Sequence, residues 1–271
     1  MTQDTSPDLT GRSLLAVFAH PDDESIAAGG LLALCADFGA RVSLLCLTHG
    51  EFNRGEAPAR TGQMRATELR AAAAVLGLAD PILLDYEDGM LPWTDTAALE
   101  TDIRETVERV RPEVVVTFGE DGLYWHPDHI AVHERTTAVV AGMRNAPAIY
   151  YVTMPPGRMR GLVDHVMGDP SRPGDDEKRR DILGVEDADA FGSMAAPPTL
   201  VLAIGARARR KLAAIRCHAS QVQDSPLGLL QEREAERFLG TEHYRRSEVG
   251  FQGDSFIEQF GSKTPSPLRM T

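Results

Sequence analysis

Two segments that lie far apart in the chain combine histidine with acidic side chains. Residues 20–24 (HPDDE) and residues 124–129 (YWHPDH) each follow a short apolar run. Two neutral imidazoles and one carboxylate, with one coordination position left for water, form the ligand set of a hydrolytic zinc centre. The additional acids and the additional histidine would then serve proton transfer and support of the ligands. Together the two segments predict a metal-dependent hydrolase.

Either segment alone has a simpler interpretation. Proline and aspartate favour the first turn of a helix, so a His-Pro-Asp triplet can be a capped turn without chemistry. For a single motif the two interpretations carry about equal weight. Because both motifs follow predicted strands and both pair histidine with acids, the sequence favours a functional site.

The segments around these motifs indicate the elements that position them. Short apolar runs rich in valine, leucine and isoleucine are typical of strands buried on both faces of a parallel sheet. They alternate with segments of helical periodicity, which predicts an α/β fold, a Rossmann-like three-layer sandwich with a mostly parallel central sheet. The predicted strands are Leu14–Ala19, Val42–Thr48, Pro81–Asp85, Val114–Phe118, Ala148–Val152 and Thr199–Ile204. The predicted helices are Glu24–Phe38, Thr61–Gly77, Asp95–Val110 and Asp128–Met143.

Both motifs fall just beyond the carboxyl ends of predicted strands, where open parallel sheets bind their ligands. A dinucleotide enzyme would carry GxGxxG after the first strand, but Gly29 and Gly30 come too late and lack that spacing. Ser25 and Ser220 lack the GxSxG pattern of a nucleophile elbow. The sequence therefore argues against a nicotinamide or flavin enzyme and against a serine hydrolase.

The composition restricts the class of partner. The 271 residues include 28 Lys+Arg and 40 Asp+Glu, a formal net charge of −12, and 42% hydrophobic residues, as in globular proteins. The negative charge argues against nucleic acid or an anionic membrane as the partner. A membrane span would need a run of about 18 apolar residues, and the sequence has none. We therefore expect a small-molecule substrate, while the sequence leaves homo-oligomerisation open.

The ends of the chain and its cysteines bear on location and domain organisation. Residues 1–12 are polar and lack the features of a signal peptide, and Cys35, Cys46 and Cys217 are expected to be reduced thiols, which together predict a cytoplasmic protein. A single domain is predicted over residues 1–271, with residues 1–12 and 262–271 flexible.

Between the predicted strands, residues 153–198 lose periodicity. They are predicted to form an irregular excursion near the rim of the pocket, and a solvated insertion and a substrate rim explain it equally well. A helix is predicted after it over Arg207–Ser220. The excursion is therefore the part of the chain whose role the sequence leaves open.

With its two motifs the sequence resembles the LmbE-like, or PIG-L, family of zinc-dependent N-acetylglucosaminyl deacetylases. The resemblance extends from about Leu14 to Val140 and resumes weakly at residues 216–221 (RCHASQ). The family includes deacetylases of mycothiol and bacillithiol biosynthesis and others that tailor glycopeptide antibiotics. The resemblance implies removal of an N-acetyl group from an N-acetylglucosamine-type amino sugar or its conjugate, releasing acetate and a free amine.

The resemblance also implies a metal and its ligands. By correspondence with the family's motifs, His20, Asp23 and His129 would bind Zn²⁺. A site of two histidines and one carboxylate also accepts Fe²⁺ and other divalent ions, so the residues alone leave the metal open.

The same resemblance implies the catalytic roles. Asp22 corresponds to the general base, and His126 to the imidazole that stabilises the tetrahedral intermediate. Asp128 corresponds to the acid that orients and charges His126. Tyr124 corresponds to a mobile tyrosine beside the substrate carbonyl. Two alternatives remain: an amidase acting on a larger thiol-sugar conjugate or a non-sugar N-acyl compound, and a catalytically inactive metal-binding protein.

Other histidines are weaker candidates. His133, one turn after His129, is expected to support the site and not to bind the metal. His49 follows the second predicted strand and, with Glu51 and Arg54, is expected to border the pocket. His218 lies in the second resembling segment and is expected to line the pocket.

Two further histidines and one charged pair are expected to lie outside the site. His165 and His243 are predicted at the surface. Arg65 and Glu68, three residues apart on a predicted helix, are expected to form an exposed ion pair.

Overall fold

The computed structural model describes residues 7–52, 57–172 and 180–263 of the chain. In these residues eight strands form one sheet. The strands are β1 (Ser13–Phe18), β2 (Arg41–Thr48), β3 (Ile82–Tyr86), β4 (Val114–Phe118), β5 (Ala148–Thr153), β6 (Leu200–Ala203), β7 (Thr241–Gly250) and β8 (Gly261–Lys263). Their order across the sheet is β3-β2-β1-β4-β5-β7-β6-β8.

Helices connect these strands, and the longer ones begin and end within a few residues of their predicted bounds. The helices are α1 (Asp23–Asp37), α2 (Pro58–Leu76), α3 (Thr96–Val110), α4 (Gly122–Trp125), α5 (Pro127–Ala141), α6 (Arg158–Met167), α7 (Ala208–Cys217), α8 (Ala219–Val222), α9 (Pro226–Leu229) and α10 (Ala235–Leu239). A 3₁₀ helix, Leu91–Trp93, precedes α3.

The first five strands run parallel to one another. Every residue of β1, β4 and β5 is buried, because helices cover the sheet on both sides. Helices α1, α2 and α7 contact one another, and α3 contacts α5 separately. The prediction of an α/β fold with a mostly parallel central sheet is confirmed.

The strand order changes direction between β1 and β4, and this position creates the site. From β1 the chain proceeds outward to β2 and β3, and then returns across the sheet to β4 and β5. Connections that leave adjacent strands in opposite directions open a crevice at their carboxyl ends. The segment after β1 and the segment after β4 therefore enter the same crevice.

The far edge of the sheet is antiparallel and was incompletely predicted. β7 pairs antiparallel with both β5 and β6, and β8 pairs antiparallel with β6. The sequence analysis missed β7 because its polar residues break the apolar run that a buried parallel strand requires. The predicted flexible end was wrong for residues 262–263, which belong to β8, while residues 264–271 lie outside the described range.

The expected flexibility of residues 1–12 also needs correction, and the excursion whose role the sequence left open can now be described. Leu9 is buried and its N–H donates to Phe38 O, so the described residues 7–12 are held by hydrogen bonds, while residues 1–6 lie outside the described part. The excursion 153–198 contains α6, whose apolar face is buried, and its Phe191 packs at 4.7 Å from the ring of Tyr124. Its described residues therefore contribute to the core beside the site. Residues 173–179 of the excursion lie outside the described part.

The cysteines and helices fit the expectations from composition. Cys35 and Cys46 are buried, Cys217 is half-buried, and all three are free thiols. Within the described ranges, every helix is too short or too polar to cross a membrane.

Candidate metal centre

The two predicted motifs meet in the crevice between β1 and β4. His20 follows β1, and residues 22–23 begin α1. His126 is the N-cap of α5, and residues 128–129 lie in its first turn. These side chains are buried, with His126 half-buried. Because both motifs follow strand ends at the same edge of the sheet, their predicted side chains lie close together.

Three of these side chains surround one point. His20 Nδ1 lies 3.2 Å from His129 Nε2. A carboxylate oxygen of Asp23 lies 3.4 Å from His20 Nδ1, and the other lies 3.3 Å from His129 Nε2. Donor atoms bound tetrahedrally at about 2.0–2.1 Å from one Zn²⁺ lie roughly 3.3–3.4 Å apart. The three groups are therefore spaced as one divalent ion would require.

Hydrogen bonds on the outer side of each imidazole fix which ring nitrogen carries the proton. His129 Nδ1 lies 3.1 Å from Gly122 O, a pure acceptor, so Nδ1 donates and Nε2 keeps its lone pair. His20 Nε2 lies 3.1 Å from a carboxylate oxygen of Asp128 and 3.1 Å from one of Asp88, which leaves the lone pair on Nδ1. With both rings neutral, two lone pairs face each other across 3.2 Å, an arrangement that a cation between them stabilises.

The charges around this point also favour a cation. Burial opposes a positive charge on His20, but hydrogen bonds to Asp128, Asp23 and Asp88 outweigh it and raise the pKa of His20 well above its ordinary value. Burial opposes the charge on Asp23 as well, yet His129 and His20 bring its pKa well below the usual range. Asp23 is thus an ionised carboxylate, the form that binds a metal.

Asp22 lies beside the three groups with a different partner. Its Oδ2 accepts a hydrogen bond from Arg65 Nη2 at 3.0 Å. Its backbone has φ of 125°, a conformation that a residue with a side chain rarely adopts and that is often found at functional sites. Burial raises the pKa of Asp22 to about 7, against the opposing effect of Arg65. A carboxyl group with this pKa can accept and return a proton near neutral pH.

The structure corrects the expected contact between Asp128 and His126. The Asp128 carboxylate accepts hydrogen bonds from Gly89 N and Leu91 N and contacts His20, so its partner in the site is His20. His126 Nδ1 instead accepts the backbone N–H of Asp128 at 3.2 Å. Burial and the nearby histidines lower the pKa of His126 to about 4, although the charge of Asp128 opposes this. His126 is therefore a neutral imidazole whose Nε2 carries the proton.

The ring of His126 is close enough to the other two histidines to form an alternative group of donors. Ring nitrogens of His20, His126 and His129 lie within 4.8 Å of one another, and His20, Asp88 and Asp128 form a second such group. In the set of His20, Asp23 and His129, the donor atoms lie 3.2–3.4 Å apart and Asp23 adds a carboxylate, which the group with His126 lacks.

Tyr124 lies at the edge of the centre on a strained segment. Its ring centroid is 5.2 Å from that of His129 and 5.8 Å from that of His126. The residues on either side, Leu123 and Trp125, both have φ of 66°. Burial raises the pKa of Tyr124 well above its ordinary value, so the phenol remains a hydrogen-bond donor.

Glu24 and His218 support the centre from behind. Glu24 is fully buried and accepts hydrogen bonds from Asp22 N at 3.1 Å, Ser25 Oγ at 2.5 Å and His218 Nε2 at 2.7 Å. His218 is fully buried as well, so it holds Glu24 and does not line the pocket as expected. Glu24 in turn holds the backbone of Asp22 in its unusual conformation.

Arg65 was wrongly predicted as an exposed partner of Glu68. It is buried, and besides Asp22 it donates to Pro21 O and Gly50 O at 2.6 and 2.8 Å. Glu68 instead accepts hydrogen bonds from the backbone and side chain of Ser220. A usable signal was present, because Arg65 lies one turn before Leu69 on the buried face of α2.

Asp88 was missed entirely. It follows β3, so the rule that identified the two motifs also applied to it. Besides contacting His20, its carboxylate accepts a hydrogen bond from Phe52 N at 3.0 Å, and its N–H donates to Glu51. The sequence offered no histidine beside Asp88 to mark it.

The other predicted candidates lie around the centre. His49 pairs with Asp85 at 2.8 Å, while Arg54 lies outside the described residues. His133 hydrogen bonds to Phe118 O, in agreement with a supporting position. The last two histidines were wrongly placed at the surface: His165 contacts Glu234 at 2.8 Å, and His243 is half-buried within β7.

The fold and the centre thus define an α/β protein with a candidate metal site at the switch between β1 and β4. Residues 15–140 match the PIG-L family, described as GlcNAc-PI de-N-acetylases. The chain is 34% identical over 264 residues to the 1D-myo-inositol 2-acetamido-2-deoxy-alpha-D-glucopyranoside deacetylase of Acidothermus cellulolyticus, covering 86% of this chain and 88% of that protein. It is also 34% identical over 278 residues to the deacetylase of the same name from Geodermatophilus obscurus, covering 86% and 91%. The chain therefore belongs to the PIG-L family and is an N-deacetylase.

Solved structures share the fold at lower sequence identity. The N,N'-diacetylchitobiose deacetylase of Pyrococcus horikoshii superposes with a TM-score of 0.62 at 18% identity, covering 87% of this chain and 84% of that one. GalB, the 4-carboxy-2-hydroxymuconate hydratase of Pseudomonas putida KT2440, gives a TM-score of 0.62 at 19% identity, covering 90% and 99%. Because a deacetylase and a hydratase share this fold, the activity has to be argued from the site.

Proposed function

We propose that this protein is a metal-dependent deacetylase that removes the N-acetyl group from an N-acetylglucosamine-type amino sugar or its conjugate. The observation that carries the proposal is the convergence of His20 Nδ1, His129 Nε2 and the Asp23 carboxylate at 3.2–3.4 Å, with both lone pairs directed inward. The names of the curated relatives, which are deacetylases of an N-acetylglucosamine-type glycoside, support the substrate class. We also assign the sheet to the Rossmann-like class, since its first five strands follow the order 3-2-1-4-5.

Zn²⁺ is the metal that we assign to His20, Asp23 and His129, because two imidazoles and one carboxylate are its usual ligands in hydrolases. When bound, it would polarise the amide carbonyl and lower the pKa of water. Asp128 would hold His20 in the tautomer that binds metal, and Gly122 O would do the same for His129.

Asp22 is the group that we assign to proton transfer. Its carboxylate would take a proton from the attacking water at Oδ1 or Oδ2 and return it to the departing amine. Arg65 would orient it, since the guanidinium also holds Pro21 O and Gly50 O and is therefore fixed in place. The held backbone would keep Asp22 from turning toward the metal ligands.

His126 and Tyr124 are the groups that we assign to the developing oxyanion. The accepted bond at His126 Nδ1 leaves its Nε2–H free to donate as a neutral imidazole. This differs from the charged imidazole expected from the family resemblance. Tyr124, with its phenol protonated, would donate a second hydrogen bond to the same oxygen.

The test measures metal content and acetate release together. Wild type should bind about one Zn²⁺ and release acetate from methyl N-acetylglucosaminide, and a chelator should stop the reaction. His20→Ala, Asp23→Ala and His129→Ala should each lose most of the metal. His133→Gln is the matched control, because His133 lies one turn further along α5 and bonds Phe118 O. Full metal occupancy in His129→Ala would refute the site as assigned, and absence of acetate release from every N-acetylated glycoside would refute the function.

A further inference from the structure

Asp22 is the N-cap residue of α1, yet its carboxylate does not cap that helix. An aspartate at this position ordinarily accepts a hydrogen bond from the N–H of the second or third helical residue. Within the described part of the chain, Asp22 makes no such bond, and its Oδ2 instead accepts from Arg65 Nη2 at 3.0 Å. Its φ of 125° also departs from the extended backbone of an ordinary N-cap. A strained conformation of this kind persists only where surrounding groups hold it.

Glu24 is one of the groups that hold the backbone of Asp22. Glu24 Oε2 accepts the N–H of Asp22 at 3.1 Å, while Oε1 accepts from Ser25 Oγ at 2.5 Å and from His218 Nε2 at 2.7 Å. Ser25 is the next residue of the same helix, so His218 is the donor that connects Glu24 to a distant part of the chain. Because Glu24 and His218 are both fully buried, water has no access to replace this donor.

His218 is itself fixed by its place in the chain. It is the C-cap of α7 and the N-cap of α8, and we call residues 218–220 the α7–α8 turn. The other end of this turn is bonded to α2, because the Glu68 carboxylate accepts the N–H of Ser220 at 2.8 Å and its Oγ–H at 2.6 Å. Helices α2 and α7 also contact each other. Glu68 therefore holds the turn from which His218 donates.

Two series of contacts thus hold Asp22, and both begin on α2. Arg65 binds the carboxylate directly. Glu68, three residues further along the same helix, holds the α7–α8 turn, whose His218 holds Glu24. Glu24 then holds the backbone N–H. The side chain and the backbone of Asp22 are therefore positioned relative to one helix, which fixes the direction of the carboxylate.

The metal ligands are held by separate contacts. Asp23 Oδ2 accepts the N–H of His20 at 2.8 Å, and His129 Nδ1 lies 3.1 Å from Gly122 O. Among the described residues, the α7–α8 turn makes no hydrogen bond to any of the three proposed ligands. A change in the turn should therefore alter the direction of Asp22 and leave the metal ligands in place.

We propose that His218 and Glu68 are positioning residues for proton transfer by Asp22. His218 acts through Glu24, and Glu68 acts through the α7–α8 turn. The inference rests on the proposed function, which assigns proton transfer to Asp22. A misdirected carboxylate slows the reaction without weakening metal or substrate binding, so the loss should appear in kcat and not in KM.

The first experiment measures kcat, KM and metal content of the Zn²⁺-loaded enzyme with methyl N-acetylglucosaminide. In His218→Leu, kcat should fall by about 10–100-fold, while KM and metal content stay near those of wild type. His218→Gln should restore a large part of kcat, because its NH₂ group can donate to Glu24. His165→Leu is the matched control, since it removes another histidine paired with a glutamate, Glu234, at 2.8 Å.

Glu68 is only half-buried, so its variants test the same series of contacts with less risk to the fold. In Glu68→Ala, kcat should fall by roughly two- to tenfold, the effect of one or two hydrogen bonds. Glu68→Gln can still pair with Ser220 and should restore most of it. Arg70→Ala, on the same helix and with 54% of its side chain exposed, should leave kcat unchanged.

A double-variant cycle separates positioning from a loss of folded protein. Residues that act through one group have non-additive effects. In the Asp22→Asn background, His218→Leu should therefore lower kcat by less than about threefold further. The full loss in that background, a parallel loss of metal, or no rescue by His218→Gln would each overturn the inference. Glu68→Ala enters the same cycle, which decides the question even if His218→Leu does not fold.

Crystal structures of the variants give a readout that needs no turnover. The φ of residue 22 should leave the left-handed range in His218→Leu and stay near 125° in His218→Gln. An unchanged φ in His218→Leu would show that His218 does not hold Asp22. If wild type releases no acetate from any N-acetylated glycoside, the proposed function fails, and the crystal structures still decide whether His218 positions Asp22.

Discussion

The candidate metal centre and a second cluster around Glu242 both place buried charged side chains against α1. They differ in whether their charges are balanced and their hydrogen-bonding groups are paired. The Glu242 carboxylate accepts hydrogen bonds from Gly30 N, Leu31 N, Tyr244 Oη and Lys211 Nζ, at 2.5–2.8 Å. One carboxylate meets one ammonium group, and the carboxylate has a donor on every side. This cluster is complete without any further group.

The metal centre is incomplete by the same criteria. Lone pairs of His20 and His129 face each other, and Asp23 adds a negative charge between them. Two further acids, Asp88 and Asp128, contact His20 on its outer side. A buried cluster with charges in excess is unstable unless a ligand balances it, whereas a neutral, saturated cluster serves the fold. A functional site can thus be distinguished from a structural cluster by whether its charges are balanced and its hydrogen bonds are satisfied.

The largest effect is expected from Asp22→Asn, which removes a base without removing a metal ligand. Metal content should stay near that of wild type, while kcat should fall by about 10²–10⁴-fold. Metal analysis and acetate release on the same preparation provide the measurement. Asp80→Asn, which changes a carboxylate with 79% of its side chain exposed, should leave both unchanged. Near-normal turnover in Asp22→Asn would move the base to another residue.

A stability effect of comparable size is expected from Glu242→Gln, in the second cluster. Lys211 would keep a buried charge without its counter-ion, which typically costs about 3–5 kcal/mol. The free energy of unfolding, measured in urea, should fall by this amount, while metal content stays unchanged.

The double variant Lys211→Met with Glu242→Gln tests the reason for that loss. It should recover a large part of the stability, because the buried charge is removed with its partner. A loss of metal from Glu242→Gln would show that the two clusters are coupled and would break the comparison.

The sequence predicted strands β1 to β6, most clearly those in which every residue is buried. Val114–Phe118 was predicted to the residue, because a strand covered on both faces is one apolar run. β7 was missed, since Arg245 and Arg246 interrupt any such run. Their partners, Glu120 and Glu258, come from distant segments and are visible only once the chain has folded.

The same limit applies to the site. The strand-end rule predicted that the two motifs meet, because it depends on topology alone. It could not predict the partner of Asp128, whose direction is set by two N–H groups from the segment before α3. Gly30, which matched no nucleotide motif, is explained by the second cluster: a Cβ there would lie 2.9 Å from Glu242 Oε1 and 2.6 Å from Ile204.

A smaller effect is expected from Asp128→Asn, which tests the corrected contact. The amide can still accept from Gly89 and Leu91, but its NH₂ group would then face His20 Nε2. That would favour the tautomer of His20 whose Nδ1 carries the proton and cannot bind metal. Zn²⁺ affinity, measured by competition with a chelator, should fall by about 10–100-fold. Unchanged affinity combined with an altered pH profile would return Asp128 to the role of charging His126.

The smallest effect is expected from Glu234→Gln, in a third group of charges that lies closer to solvent. Glu234 accepts hydrogen bonds from Gln231 N, His165 Nε2 and Arg172 Nη2. Burial opposes its charge, but these donors outweigh burial and lower the pKa of Glu234 from 4.5 to about 2. A lowered carboxyl pKa stabilises the fold above pH 4.5, and that contribution is lost as pH falls toward 2.

The melting temperature of Glu234→Gln should therefore lie roughly 2–4 °C below that of wild type at neutral pH. The difference should shrink as the pH is lowered from 4.5 toward 2, because the unfolded chain then binds a proton at Glu234 while the folded protein, with its lower pKa, does not. Glu232→Gln changes an exposed carboxylate of the same turn and serves as the control. A difference that stays constant from neutral pH down to pH 3 would mean that Gln disturbs packing. In that case, charge pairing would not be what stabilises the group around Glu234. The criterion of balanced charges, drawn from the Glu242 cluster, would then apply to buried charges alone.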